Sequence, residues 1–343
     1  MRVSTYREDG REKLALWVDS RIYDLEAVDA STHEVKVITK PRFFDRPMSG
    51  MSLVEVMAMG DAGLIVLRAM EDYIRFLSTR GDPLLLRHAL RDAEAVEWLP
   101  PIPRPPVLFG IGGNSPLFFR DKSYQIPAYP RGFMRPNNRH ALIGHRARVN
   151  IPPEYSTMRA SAELGVVIGK PGRDIAHAQA MEHVWGYTLV NDMCSDAWKV
   201  VALGDLDESV MHKDLTVFTQ RASTSYYSRS TDGFAAVGPY VVSKDEVPDP
   251  YNLMVWNRQT GVLRERGLTQ AMVNGIERTV SFMSSIFTLQ PGMIFHMGTM
   301  GIDGYTIDTD MRLGPDDYFE IEYEGIGALR TYINDLRPRG NAR

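Results

Sequence analysis

The sequence predicts an α+β protein, with a predominantly β C-terminal domain and a smaller N-terminal α/β module. Three observations carry this. From about residue 107 onward, short apolar runs recur between Gly and Pro turns, the spacing of strands in a β-rich domain. The stretch MSLVEVMAMGDAGLIVLRAMEDYIRFLSTR has apolar residues at helical spacing, interrupted by glycine. Between these parts, WLPPIPRPPV holds five prolines. Proline fixes φ and removes a backbone donor, so this reads as a stiff linker. The expected division is therefore a module over 1–98, a linker over 99–106, a main domain over 107–337 and a frayed polar tail over 338–343.

In chain order, KLALWVDSRIYDL alternates and turns like a small hairpin. VLFGIGG reads as a strand running into a loop at Gly110, Gly112 and Gly113. A dinucleotide-binding turn needs G-x-G-x-x-G opening a helix, and Ser115 and Pro116 stand where that pattern would finish. RPNNRHALIGHRARVNIPP groups His140 and His145 with Arg135, Arg139, Arg146 and Arg148. It reads either as the anion-binding edge of a pocket or as a solvated basic loop whose histidines satisfy backbone groups.

The stretch 161–192 organises the rest. An apolar run, Leu164 to Ile168, follows Glu163; a turn at Lys170–Gly172 leads to a helix-like segment from Ala176 to His183; a second apolar run, Trp185 to Val190, ends on Asn191–Asp192. Short apolar runs bounded by Gly and Pro read as buried strands, and a helix between them suits a crossover. Glu163 and Asp192 then converge from strand ends, as two carboxylates must to hold a hard divalent cation.

After Asp192 the spacing predicts a helix to about Leu203 and then a polar excursion, suited to a specificity loop or a dimer contact. Further strand-like segments follow, with one amphipathic helix in AMVNGIERTVSFMSSIFTL. In DTDMRLGPDD, Asp308 and Asp310 show carboxylate spacing but lack the Gly and Glu of an EF-hand, so the stretch reads as a surface turn.

Composition excludes several classes. The chain has 343 residues, 44% hydrophobic and 24% charged, as ordinary globular proteins do. A net charge of −4 gives no general pull toward nucleic acid or an anionic membrane. No apolar run approaches the roughly 18 residues of a membrane span, and MRVSTYREDGREK lacks the apolar core of a signal peptide. The single cysteine, Cys194, excludes an intrachain disulfide and fits a reducing compartment, so a cytoplasmic location is expected. No basic partner for Cys194 is identifiable, and it reads as buried and inert.

SAELGVVIGK with GYTLVND, followed by TDGFAAVGPYVVSKDEVPDP, TLQPGMIFHMGTMG and EIEYEGIGALRTYI, resembles the signatures of the fumarylacetoacetate hydrolase superfamily. The signatures occur in the family's order across about residues 100 to 335. The resemblance implies a mixed β-roll or sandwich domain and a homodimer formed through it. It also implies a divalent cation, Mg²⁺ or Mn²⁺, held by both glutamates of E-x-E and the aspartate of N-D. That cation chelates a small 2-oxo or β-diketo acid and stabilises the enolate formed in the reaction.

Carried over residue by residue, the metal positions fall on Ser161, Glu163 and Asp192. Ser161 replaces a glutamate, and a neutral hydroxyl is a poor ligand for such an ion, so weakened or lost metal binding is part of the expectation. The family's catalytic lysine falls on Arg229, and two further positions after the aspartate fall on Asp196 and Lys199. Asp196 and Lys199 read either as an acid/base pair or as a structural ion pair. Substrate binding falls to Thr299 and Gly298 of the G-T signature and to Arg135, near a substrate-facing lysine. Where relatives carry a catalytic lid histidine, this chain offers Asn114, Arg120, Asp121 and Lys122.

The expected activity is C–C hydrolysis, decarboxylation or isomerisation of a small oxo acid or β-dicarbonyl compound. The alternatives are a metal-independent dehydratase or cyclase of a biosynthetic pathway on the same fold, and a non-catalytic ligand-binding protein.

Overall fold

A computed structural model of the chain describes residues 1–32, 43–44, 48–79, 86–116, 126, 128–153, 155, 158–195, 227, 229–300, 314 and 316–337. The N-terminal part opens with β1 (Arg2–Glu8), β2 (Arg11–Val18) and β3 (Arg21–Asp24), an antiparallel meander that contains the expected hairpin. Asp24 then caps α1 (Leu25–Ser31) by accepting from the Ala27 N–H. The predicted helical stretch is two helices, α2 (Leu53–Ala58) and α3 (Asp61–Thr79), broken at Gly60. Ser52 and Glu55 start α2 with a capping box, and α3 buries Leu67, Met70, Ile74 and Leu77 at spacings of three and four residues. Short strands β4 (Leu90–Arg91) and β5 (Glu97–Leu99) lead into the proline-rich segment.

Beyond it come β6 (Leu108–Ile111), β7 (Gly132–Met134), β8 (Leu142–Ile143), β9 (Arg148–Ile151), β10 (Ala162–Ile168), β11 (Val184–Asp192) and β12 (Ala235–Ser243). The hairpin of β13 (Met254–Gln259) and β14 (Val262–Leu268) precedes α4 (Ile276–Ile286), the expected amphipathic helix. Finally β15 (Ile294–Thr299), β16 (Tyr318–Tyr323) and β17 (Gly327–Asp335) complete the chain.

Two sheets result. The larger has the order β4-β3-β2-β1-β12-β11-β10-β15-β6-β7, with β5 on β1 and β8 on β12; the smaller has the order β14-β13-β16-β17-β9. The large sheet crosses the proline-rich segment, because β1 pairs with β12 through Arg2↔Val242 and Val3↔Val241. Between the sheets lie Leu164, Val166 and Ile168 of β10, Val255, Ile321, Tyr323 and Leu329 of the smaller sheet, and Ile276, Val280 and Met283 of α4. Val167, Val190 and Val237 point the other way and join the core that includes Leu53, Val56, Leu67, Met70 and Ile74. Each such side chain contributes roughly 1.5–3 kcal/mol on burial, and β10 is buried along its whole length.

One expectation is corrected here. The segment between the two apolar runs is a 3₁₀ helix, His177–His183, and no crossover: β10 and β11 are adjacent and antiparallel. A crossover would make them parallel and leave Glu163, at the start of one, far from Asp192, at the end of the other. Antiparallel pairing matches Ala162 with Asn191 and Glu163 with Val190, so start and end meet. Side chains at 161, 163, 190 and 192 then share one face.

Candidate active site

Three neighbouring strands build the site. β10 supplies Glu163, β11 ends on Asp192, and β15 lies on the other side of β10 with His296 opposite Gly165 and Thr299 opposite Glu163. Here Leu164 alone on β10 faces Met297 and Gly298 on β15, a β-bulge that accommodates Gly298 at φ +79°. The bulge aims the Gly298 N–H at Glu163 Oε2, 3.0 Å away. A Cβ on Gly298 would stand 2.8 Å from the Ile111 carbonyl, so both dihedral and space require glycine there.

His296 is fully buried, and its Nδ1 lies 2.5 Å from Glu163 Oε2. A carboxylate accepts from an imidazole N–H, so the proton sits on Nδ1 and Nε2 presents its lone pair. That Nε2 is buried and has no hydrogen-bond partner among the described residues. Burial lowers the imidazole's pKa from its ordinary value of 6.5, the Glu163 charge pulls it back up, and the net direction is down. The ring can pack this closely on β6 because residue 110 is glycine: a Cβ there would be 2.5 Å from Nε2.

Asp192 is held from both sides. Its Oδ1 accepts from Arg135 Nη2, and its Oδ2 accepts from Arg229 Nη1 at 2.7 Å. Arg135 also donates to the Arg229 carbonyl at 2.5 Å and to the Met193 carbonyl at 3.3 Å. Both guanidiniums lie over the ring of Phe133 on β7, at 5.8 and 5.2 Å, and that ring packs edge-on against His296. Ser161 is buried beside them, its carbonyl accepting from the Asp192 N–H at 3.1 Å.

A family model describing the C-terminal domain of fumarylacetoacetate (FAA) hydrolase matches residues 111–334. The chain belongs to the fumarylacetoacetate hydrolase family. It is 29% identical to a mitochondrial oxaloacetate tautomerase of Bos taurus over 283 residues, 82% of this chain and 80% of that one. It is 31% identical over 227 residues to the 4-hydroxyphenylacetate degradation bifunctional isomerase/decarboxylase of Salmonella dublin, 66% of this chain and 46% of the relative. Among solved structures, maleylpyruvate hydrolase from Sphingobium sp. SYK-6, in complex with manganese(II) and pyruvate, aligns with a TM-score of 0.64 at 19% identity, covering 98% of this chain and 99% of that one. Fumarylacetoacetate hydrolase from Exiguobacterium antarcticum aligns with a TM-score of 0.65 at 21% identity over 98% of this chain and 99% of that one. At these identities the likeness to solved structures is one of fold.

The fumarylacetoacetate hydrolase fold brings Ser161, Glu163, Asp192, Arg135, Arg229, Gly298 and Thr299 of the sequence-derived set together. Lys122, Asp196 and Lys199 lie outside the described residues, as do the Asp308–Asp310 turn, the tail and all but the first three residues of the helix expected to Leu203; Met193, Cys194 and Ser195 are not helical, and Cys194 bridges to Arg159. Asn114 has a structural role: its amide donates to the Asn274 and Met297 carbonyls and accepts from the Asn274 N–H. His140 and His145 line a separate cavity of about 790 Å³ with Arg7, Arg104, Arg139 and Arg146. His145 accepts the Arg330 N–H at 3.2 Å, and burial pushes its pKa down to about 4, which answers to the backbone-satisfying reading. Cys194 is buried. No helix among the described residues is long and apolar enough to cross a membrane.

Sequence reasoning missed His296. Its place in the apolar strand of MIFHMGTMG makes it look like a core residue, and the only sign of a polar role is its position two residues before Gly298.

Glu163, Asp192 and His296 each offer one ligand atom, all within 4.8 Å of one another, a spacing that makes a metal site possible. Two carboxylates and an imidazole suit Mn²⁺ and later transition metals better than Mg²⁺. Three of the four carboxylate oxygens, however, are already engaged. Both Asp192 oxygens accept from guanidinium groups, and Glu163 Oε2 accepts twice. As arranged, the residues do not fit a divalent ion, which would have to displace a guanidinium from Asp192.

Proposed function

We propose that this protein is an enzyme that enolises a small 2-oxo acid or β-dicarbonyl compound, with isomerisation, decarboxylation or C–C hydrolysis as the fates open to the enolate. One observation supports this above the others: a Glu163–His296 pair, its Nε2 unpartnered among the described residues, clusters with Asp192 and the two guanidiniums that Asp192 accepts from. Glu163 fixes the imidazole tautomer. His296 Nε2 accepts the proton from the carbon next to the carbonyl, the C–H pair becomes the enol double bond, and the carbonyl π pair moves to oxygen. That oxygen takes an N–H from Arg229, whose side chain keeps 25% exposure. In this reading Thr299 and Gly298 bind the substrate carboxylate. Lys122, Asp196 and Lys199 remain candidates carried over from the family.

The relatives named as an oxaloacetate tautomerase and an isomerase/decarboxylase are consistent with enolisation and supply the first substrate to try. In D₂O, the protein should accelerate loss of the C3 proton signal of oxaloacetate or another 2-oxo acid, followed by NMR. His296→Ala should slow this by about 10²–10⁴-fold, the range for a lost general base. Exchange at the uncatalysed rate across a panel of 2-oxo and β-diketo acids would refute the reading. A homodimer is also part of it, and light scattering should return twice the mass of one chain; a monomer mass removes that element alone.

A further inference from the structure

The positive charge that a divalent ion would bring to this site is already present in its side chains. Among the described residues, Arg135 and Arg229 are cationic and Glu163 and Asp192 are anionic, so this cluster balances before anything binds. It balances only because Ser161 is neutral; a carboxylate there would leave one uncompensated negative charge. Adding a divalent ion to the present set would leave two excess positive charges among groups that are mostly buried: the side chains of Arg135, Asp192 and Glu163 are 1%, 3% and 5% exposed. A protonated His296 would only add to that excess. Ejecting Arg135 from Asp192 to make room would instead strand a buried guanidinium without its carboxylate.

The two arginines are not placed casually. One aromatic ring, Phe133, carries both guanidiniums, and Arg135 Nη1 is bonded to the Arg229 carbonyl, so the positions of the two are coupled. Each takes a different oxygen of the same carboxylate. Arg135 is the buried anchor, and Arg229 is the outer partner with donors left over.

We propose that Arg135 and Arg229 act together as a built-in dication that takes the place of the divalent metal, with Arg229 receiving the anionic oxygen of the ligand. The identity of that anion rests on the enolisation reading, whereas the replacement of the metal does not.

The test uses the full chain and two probes. Free Mn²⁺ followed by electron paramagnetic resonance should remain unbound by wild-type protein at 1 mM, on the order of the weakest binding worth calling specific. The double variant Ser161→Glu with Arg229→Lys removes the charge balance and should bind Mn²⁺ at least about tenfold more tightly. Oxalate, a stable mimic of an enolate with its carboxylate, should bind wild type in the presence of EDTA by calorimetry. Arg229→Gln should weaken that binding about tenfold or more.

Wild-type binding of Mn²⁺ at micromolar concentration would overturn the metal replacement. So would oxalate binding that depends on added Mn²⁺. Failure to bind oxalate with or without Mn²⁺ would overturn the role of Arg229. Metal-free oxalate binding without proton exchange would leave this inference standing and remove the enolisation reading. The wild-type measurements decide the matter even where a variant fails to fold.

Discussion

Asp192→Ala is expected to destabilise the fold by about 3–5 kcal/mol, the cost of breaking a buried ion pair from one side. The carboxylate lost is the one that both Arg135 and Arg229 donate to, and Arg135 is 1% exposed, so its charge cannot turn to water. Urea unfolding measures this directly. A purely steric effect would look different: Ala at a strand end removes few contacts and costs far less. The double variant Arg135→Met with Asp192→Leu separates the two causes, because it removes the buried guanidinium together with its carboxylate and leaves only Arg229, which keeps 25% exposure. It should recover a large part of the loss. An Asp192→Ala protein within 1 kcal/mol of wild type would refute the account of the site given above.

The second large effect lies behind the site, at Glu265 on β14. Its side chain is buried, and neither carboxylate oxygen has a hydrogen-bond partner among the described residues. Asn257, opposite it on β13, donates its amide to the Ala160 carbonyl instead. Burial, first of all, pushes the Glu265 pKa up to about 7; nearby Asn257 opposes the shift and the Glu163 charge adds to it. A folded pKa above the unfolded value of 4.5 means the native state binds the proton more tightly. The contribution is therefore complete below about pH 4.5 and lost as pH rises through about 7. Two and a half pKa units correspond to about 3 kcal/mol, an upper figure for this group alone. Glu265→Gln should flatten the fall in stability between pH 5 and 8, measured as the change in unfolding free energy. Parallel pH profiles for wild type and variant would show that Glu265 does not titrate in this window.

Much of the fold is legible in the chain because apolar periodicity reports burial directly. The runs Leu164–Ile168 and Trp185–Val190, the stripe of α3 and the hairpin of β13 and β14 all follow from residue type and spacing. Strand direction does not. A buried run looks the same whichever way its neighbour points, which is why the 3₁₀ segment at His177–His183 reads as a crossover helix in sequence. The site divides along the same line. Glu163 and Asp192 flank apolar runs and stand out as charged residues. Arg135 and Arg229 lie 57 and 37 positions from Asp192, and only the assembled sheet brings them to it. His296 is hidden for the opposite reason, since it is flanked by core residues and its partner is a strand away.

The pairing of β1 with β12 carries a consequence for how such a chain can be rearranged. Only β12 stands between the N-terminal strand and β11, whose last residue is the carboxylate that anchors the arginines. A part joined by a shared ladder cannot be traded as a cassette. Any exchange of the N-terminal residues must reproduce the rung at Val241 and Val242, or leave that stretch of β12 open for a foreign strand to occupy.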